Sequence, residues 1–357
     1  MIATLRDKPG TYGFAVILVP AAIGGAIWSA SGLPLGWLMG AALVTGAYAM
    51  IGRPVAVPKL PHRAGLVMIG SGVGLVLTPE IAARMTMWAP MMLLAAGLGI
   101  AMAALCAPLL ARAGRVSVAT AYFSLLPGGI IEMARVGEDF GADRTTIAAL
   151  HTVRLGLVVG LLPLALLSFL PHDDPATIAG TSTAGALQMA GALAVGALGG
   201  WIGSKIGLPA AWLLGAVVAV GAVAATGAIG GQLHPVLVIL AQIIVGLALG
   251  ARFERRRLTS IPRAMAAGLA TLALIMVAMA AFAALAGVLM PQDLPSLILA
   301  FSIGGMAEMV LTAKVLHQDI ALVAAFQTVR GVTVNAVAGA VWQRLGRKFF
   351  KTDMRGD

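Results

Sequence analysis

With 357 residues, 60% apolar side chains, 11% charged ones and 45 glycines, the chain carries too little charge for a soluble protein of its size and reads as a polytopic membrane protein. Its formal charge of +10 lies in short basic clusters beside apolar segments, without aromatic interleaving or a recognition-helix pattern, so it speaks for membrane orientation and against nucleic acid as a partner. Cys106 stands alone in an apolar run, no P-loop follows a strand, and no His/Glu spacing suits zinc; disulfide framework, ATP-driven pump, metal site and cofactor are therefore not expected.

The apolar runs are about 17 to 27 residues long, and about 20 residues of helix cross a bilayer core. A transmembrane barrel would alternate with period two in shorter segments, which these runs do not. The expected class is therefore all-α integral membrane. Helical segments are predicted near 12 to 31, 34 to 52, 64 to 78, 87 to 111, 117 to 137 and 145 to 170. A second set follows near 185 to 204, 209 to 230, 235 to 251, 264 to 290, 295 to 316 and 320 to 343. The first segment, after Arg6 and Lys8, has the look of a signal peptide, but its end recurs in the second half of the chain.

Gly24 to Ala49 shares Gly-Gly-x-Ile-x-Ser, Gly-Leu-Pro, Trp-Leu-x-Gly-Ala and Gly-Ala with Gly199 to Ala224, 175 positions on. Pro127 to Arg154 opens Pro-Gly-Gly-Ile-Ile-Glu-Met and continues Ala-Ala-Leu-His-Thr-Val-Arg. Ile303 to Arg330, displaced by 176, opens Ile-Gly-Gly-Met-Ala-Glu-Met and continues Ala-Ala-Phe-Gln-Thr-Val-Arg. Matching order at nearly constant offset indicates a tandem duplication, with repeats 1–175 and 176–357 and a polar linker Pro171 to Thr183 between them.

Lysine and arginine collect in cytoplasmic loops. The basic loops are Arg6/Lys8, Arg53 to Arg63, Arg112/Arg115, Arg252 to Arg263 and Arg344 to Arg355, while His172 to Thr183 and Pro291 to Pro295 are poor in base. All basic groups fall inside if segments 117 to 137 and 295 to 316 enter and leave on one side. The expectation is two inverted repeats of five transmembrane helices plus one re-entrant hairpin each, with both termini cytoplasmic. Glycine pairs suit a turn within the membrane, where non-helical backbone must be buried in protein or face a water-filled cavity. Inverted repeats with broken elements meeting near the midplane are the architecture of secondary transporters.

The duplicated Gly-Gly-x-x-Glu-Met and Thr-Val-Arg motifs, with Gly-Leu-Pro-x-x-Trp-Leu-x-Gly, resemble the bacterial AbrB-duplication membrane family, also labelled ammonia monooxygenase or AbrB-family regulator. The resemblance covers nearly the whole chain. The inferred architecture is also similar to 2-hydroxycarboxylate transporters, which implies an elevator-type carrier without fixing a solute.

Arg154 and Arg330 lie about ten residues into their helices, hence about 15 Å deep, near the bilayer centre. There an arginine costs about 2.5 to 3.5 kcal/mol on insertion scales, so each should meet a partner or a polar interior. Two readings stand: an ion pair with Glu132 or Glu308 locking hairpin to helix, or direct contact with solute. Gly128, Gly129, Gly304 and Gly305 would line the site beside Thr152, Thr328 and Gln327. Glu132, Glu308 and His151 are candidates for carrying a coupling cation or proton, and one polar cavity should gather both glutamates and both arginines. Asp143 and Asp319 precede the arginine helices as N-caps.

The expected function is secondary transport of a small polar or anionic solute across the bacterial inner membrane, coupled to a proton or another cation. The alternative is a membrane-embedded sensor that affects gene expression through a partner, for which the short loops offer little docking surface. An enzyme is not expected, since no nucleophile and base pair stands out at the repeated motifs. Self-association into a homo-oligomer is compatible with such a scaffold.

Overall fold

The computed structural model describes residues 9–32, 34–76, 79–167, 185–208, 210–253 and 261–349. Arg6 and Lys8, the linker Pro171 to Thr183, residues 254–260 of the basic loop and those after 349 lie outside the described residues, and with them the expected positions of both termini.

The described regular structure is helical, as a bilayer demands of backbone that must bond within its own segment. In the first half lie α1 Pro9–Ala30, α2 Gly36–Met50, α3 Lys59–Gly74, α4 Pro79–Gly114, α5 Val118–Leu125, α6 Ile130–Glu138 and α7 Arg144–Leu167. The second half holds α8 Ala186–Lys205, α9 Ala211–Ala224, α10 Pro235–Gly250, α11 Pro262–Leu289, α12 Leu294–Phe301, α13 Met306–Val315 and α14 Ile320–Phe349.

Ten full spans are expected, but six described helices are long and apolar enough to cross: α7, α8 and α11 entire, and parts of α1, α4 and α14. Helices α2, α3, α9 and α10 have 15, 16, 14 and 16 residues. That is about 21 to 24 Å of helix against a core of about 30 Å. Turn chemistry shortens two of them: Leu35 and Ala210, each following a Leu-Pro pair, hold left-handed φ of 54° and 48° and so delay the start of α2 and α9.

The chain forms two compact units, and both draw on the two halves of the sequence. The first comprises Met1–Met87, Val159–Arg255 and Ala307–Ala324; the second comprises Trp88–Val158, Arg256–Met306 and Ala325–Asp357.

In the first unit α1 packs on α2 and α8 on α9 through small residues that let the backbones approach. A methyl group placed on Gly40 would strike Gly24, and one on Gly215 would strike Gly199, at equivalent positions. Contacts between the halves are exchanged: α10 packs on α2, where Gly246 faces Leu38 and Gly250 faces Ala42, and α3 packs on α9, where Gly70 faces Leu213 and Gly74 faces Val220. Helices α3 and α10 run antiparallel, with Gly65 of α3 against Ile244 and Gly72 against Leu233, which precedes α10.

In the second unit α5 and α6 lie side by side. The Asp143 N–H donates to Thr120 Oγ1 at 2.9 Å, and Phe123 stacks on Phe140 with ring centroids 5.8 Å apart. A straight helix over those 23 residues would part the first pair by about 35 Å, so the chain doubles back between them. One stripe of α14 follows this doubled segment. Asn335 faces Gly128, Ala338 O accepts from Tyr122 Oη at 3.4 Å, Gly339 meets Phe140, and Trp342 stacks on Tyr122 with centroids 5.2 Å apart.

Candidate functional site

The predicted segments 117 to 137 and 295 to 316 are each two helices, interrupted at Leu126–Gly129 and at Ser302–Gly305. The last carbonyls of a helix have no intrahelical donor, and in a membrane no water replaces it. Proline is not the shared cause of the interruption, because Pro127 of the first copy corresponds to Ile303 of the second. What the copies share is a glycine pair and an arginine.

Arg154 Nη1 donates to Leu126 O at 2.5 Å and its Nη2 to Gly128 O at 3.2 Å. Arg330 Nη1 donates to Ser302 O, and its Nη2 to Gly304 O at 2.7 Å. Every partner is displaced by 176 positions, so both copies close the end of a broken helix with a planar guanidinium fork. The cation also meets the negative end of that helix. The arginines are 2% and 5% exposed, burial that only charge-assisted bonds offset. The expected ion pair is therefore not made: among the described residues neither Glu132 nor Glu308 forms a salt bridge, whereas Glu138 pairs with exposed Arg144 at 3.5 Å. The carbonyls 26 and 28 residues before each arginine take the place of the carboxylate.

One turn earlier, His151 and Gln327 serve the same helix ends. His151 Nε2 donates to Phe123 O at 2.9 Å, which makes it the protonated nitrogen, and Gln327 Nε2 donates to Leu299 O at 2.9 Å and Ser302 O at 3.2 Å. Both side chains are buried, and these bonds show them bracing the break. Thr152 Oγ1 returns its hydrogen to Ala148 O at 2.9 Å within its own helix, and Thr328 Oγ1 lies 3.9 Å from Met306 Sδ.

The glycines serve close approach. A methyl group on Gly128 would lie 2.8 Å from Met133 Cγ and 3.1 Å from Asn335 Oδ1, and one on Gly129 would overlap the Glu132 carboxylate. Gly129 is the N-cap of α6 and Glu132 stands in its first turn, so this carboxylate folds back over the positive end of the helix. Glu308 holds the same place on α13, is 8% exposed, and belongs to the other compact unit; its carbonyl accepts from Thr312 Oγ1 at 2.8 Å. Gly305 is half-buried at the second break.

Within the second unit the breaks converge along α14. Arg330 closes the second break, and Asn335, five residues on or about 7.5 Å of helix rise, abuts Gly128 of the first. Arg154 and Arg330 act on each other electrostatically, so two buried positive charges lie near one another. Asn335 Oδ1 is buried with no hydrogen-bond partner among the described residues. Sequence reasoning missed Asn335 and Ser302; the legible signal for the first was a lone asparagine in an apolar stretch one turn beyond Arg330. Chemically, the arrangement joins fixed positive charge, an amide and two interrupted backbones.

In the first unit an apolar cleft lies between α3, α10 and α13, with Lys314 as its one charged lining residue. The Asp143 and Asp319 caps form as expected: Asp143 accepts from Thr146 N at 2.9 Å, and Asp319 from Leu322 N at 2.9 Å.

The chain is similar to the uncharacterized protein YhjN of Bacillus subtilis (strain 168), with 27% identity over 351 residues and 89% of each chain covered. Residues 37–346 match the family described as transition state regulatory protein AbrB, a stretch that contains both breaks and both arginines. The chain thus belongs to the AbrB family, as a polytopic membrane protein with two arginine-capped helix breaks.

Proposed function

We propose that this protein is a secondary transporter of a small polar or anionic solute in the bacterial cytoplasmic membrane, driven by a proton or another cation. The observation that carries the reading is the convergence of two arginine-capped breaks on α14 within one compact unit. A packed structural bundle has no use for two interrupted helices and two buried guanidinium groups; a carrier uses interrupted backbone near the midplane to meet its solute. The two cations favour an anion, and Glu132, folded back over the start of α6, is the carboxylate of this unit's break that would carry the coupling proton.

Inverted repeats are supported by the antiparallel packing of α3 on α10, its counterpart 176 positions on, together with the exchanged contacts of α2 with α10 and of α3 with α9. A re-entrant first hairpin is supported by the Thr120 to Asp143 bond and the Phe123 to Phe140 stack. The family's description as a transition state regulatory protein favours a second reading, a membrane sensor acting on gene expression. That reading predicts transcript changes in a deletion strain that a transport-dead variant reverses.

The direct test is reconstitution into liposomes with counterflow of labelled carboxylates, inorganic anions and amines under imposed pH or sodium gradients. Saturable uptake of an anion, lost in Asn335→Leu protein that melts like the wild type, is the expected result. Absence of saturable counterflow for every class would remove the carrier reading.

A further inference from the structure

The first unit carries a second recognition feature that the carrier reading does not use. Lys59, His62 and Arg63 open α3, Lys205 ends α8, Trp212 lies in the first turn of α9, and Arg252 follows α10. These helix ends meet at one face of the unit. The Arg63 guanidinium lies 4.7 Å from the Trp212 ring centroid, Trp212 rests on Gly200 one turn before Lys205, and Arg252 acts electrostatically on His62. Lys59, Arg63, Lys205 and Arg252 are all exposed, and none forms a salt bridge among the described residues.

Comparison of the halves shows that the scaffold does not need these charges. The equivalents of Lys59 and Arg63 are Pro235 and Ile239, 176 positions on, and those of Lys205 and Arg252 are Ala30 and Val76, 175 and 176 positions back. At the corresponding end Trp37 and Ile239 flank the same apolar cluster, so packing is met there without charge. The same local fold is thus built once neutral and once with four cations. A general bias of basic loops toward the cytoplasm accounts for the sign of the charge. It does not account for a guanidinium held over an indole at the mouth of a helix junction.

We infer that this face is a binding site for the headgroup of an anionic phospholipid, with Arg63 and Arg252 around the phosphate, Trp212 fixing the guanidinium plane, and Lys205, 5.8 Å from the Trp201 ring centroid, at the rim. Basic pockets between membrane helices bind such headgroups, and a guanidinium bonds two phosphate oxygens at once. The flanking side chains suit the acyl chains: Leu60 is 77% and Ile206 73% exposed, both adjoining the cluster. The inference stands apart from the transport reading.

The test is native mass spectrometry of the full chain in detergent, titrated with phosphatidylglycerol or phosphatidylcholine. Wild-type protein should retain phosphatidylglycerol at least fivefold better than phosphatidylcholine, and millimolar inorganic phosphate should not displace it. Arg63→Gln and Arg252→Gln should each lower phosphatidylglycerol retention at least threefold, Arg63→Lys should lower it less, and Arg112→Gln, a basic position in the other unit, should leave it unchanged. Equal retention of the two lipids, or equal loss in Arg112→Gln and Arg63→Gln, would overturn the proposal. Displacement by inorganic phosphate alone would overturn the lipid assignment.

Discussion

Arg330 and Gly304 are joined across 26 residues by a guanidinium-to-carbonyl bond of 2.7 Å, and Arg154 and Gly128 repeat that relation in the first half at 3.2 Å. A cation that costs free energy to bury, and a carbonyl that costs free energy to leave unpaired, satisfy one another. The break in each helix persists because its own downstream arginine supplies the donors that the interruption removed.

Two charge-assisted bonds per arginine, each worth about 1.5 to 3 kcal/mol, set the scale of its substitution. Lysine keeps the charge but lacks the fork that reaches both carbonyls. Arg330→Lys should lower unfolding stability in detergent by about 2 kcal/mol and Arg330→Gln by more. Melting temperatures indistinguishable from wild type in both variants would show that the carbonyls need no cap.

Gly129 and Glu132 form a coupled pair, because a methyl group at 129 would overlap the folded-back carboxylate. Gly129→Ala should cost about 1 to 3 kcal/mol through overpacking. In a Glu132→Ala background the same substitution should cost less than about 0.5 kcal/mol, as the clash is gone. A double-mutant cycle by chemical unfolding measures this, and strict additivity would contradict the geometry.

If the repeats are inverted, the loop after α2 and the loop after α9 face opposite sides of the membrane, whereas parallel repeats put them on one side. Arg53 is exposed, and a side chain at Gly230 would meet no atom within 4 Å, so cysteine is tolerated at both. In a Cys106→Ala background, an impermeant maleimide should label Gly230→Cys from outside intact cells and Arg53→Cys only after permeabilisation. Labelling of both from the same side would sink the inverted topology.

Asp143 caps the start of α7, outside the span that follows. Partial burial pushes its carboxyl up, but hydrogen bonds from the Thr146 side chain and from the Thr146 and Thr145 backbones prevail and hold it below its ordinary value. A carboxyl with a depressed folded-state pKa contributes stability that is present above the unfolded value of about 3.9 and is lost as pH falls through the folded one. Asp143→Ala should cost about 1 kcal/mol at neutral pH, and Asp143→Asn much less, since asparagine also caps. The Asp143→Ala penalty should shrink in melts below about pH 4; a penalty constant from pH 7 to 3 would rule out the capping account.

Composition alone determined the membrane class, because 60% apolar residues with 11% charge exceed what a soluble surface tolerates. The motifs that recur at offsets of 175 and 176 are plain in the sequence, and the glycine pairs located both interruptions, since glycine at membrane depth marks backbone that leaves the helix. The Asp143 and Asp319 caps were legible for the same local reason. Only the tertiary structure decided what the arginines hold. Helical spacing sets the depth of Arg154 and Arg330, whereas the choice between carboxylate and carbonyl depends on which backbone the fold carries to within 3 Å. Asn335 was legible as a lone asparagine in an apolar stretch, but it gains meaning only from the approach of Gly128, more than two hundred residues earlier in the chain. The length of α2, α3, α9 and α10 and the mixing of both halves in each compact unit likewise arise from turns and interhelical packing, which an apolar run does not encode by itself.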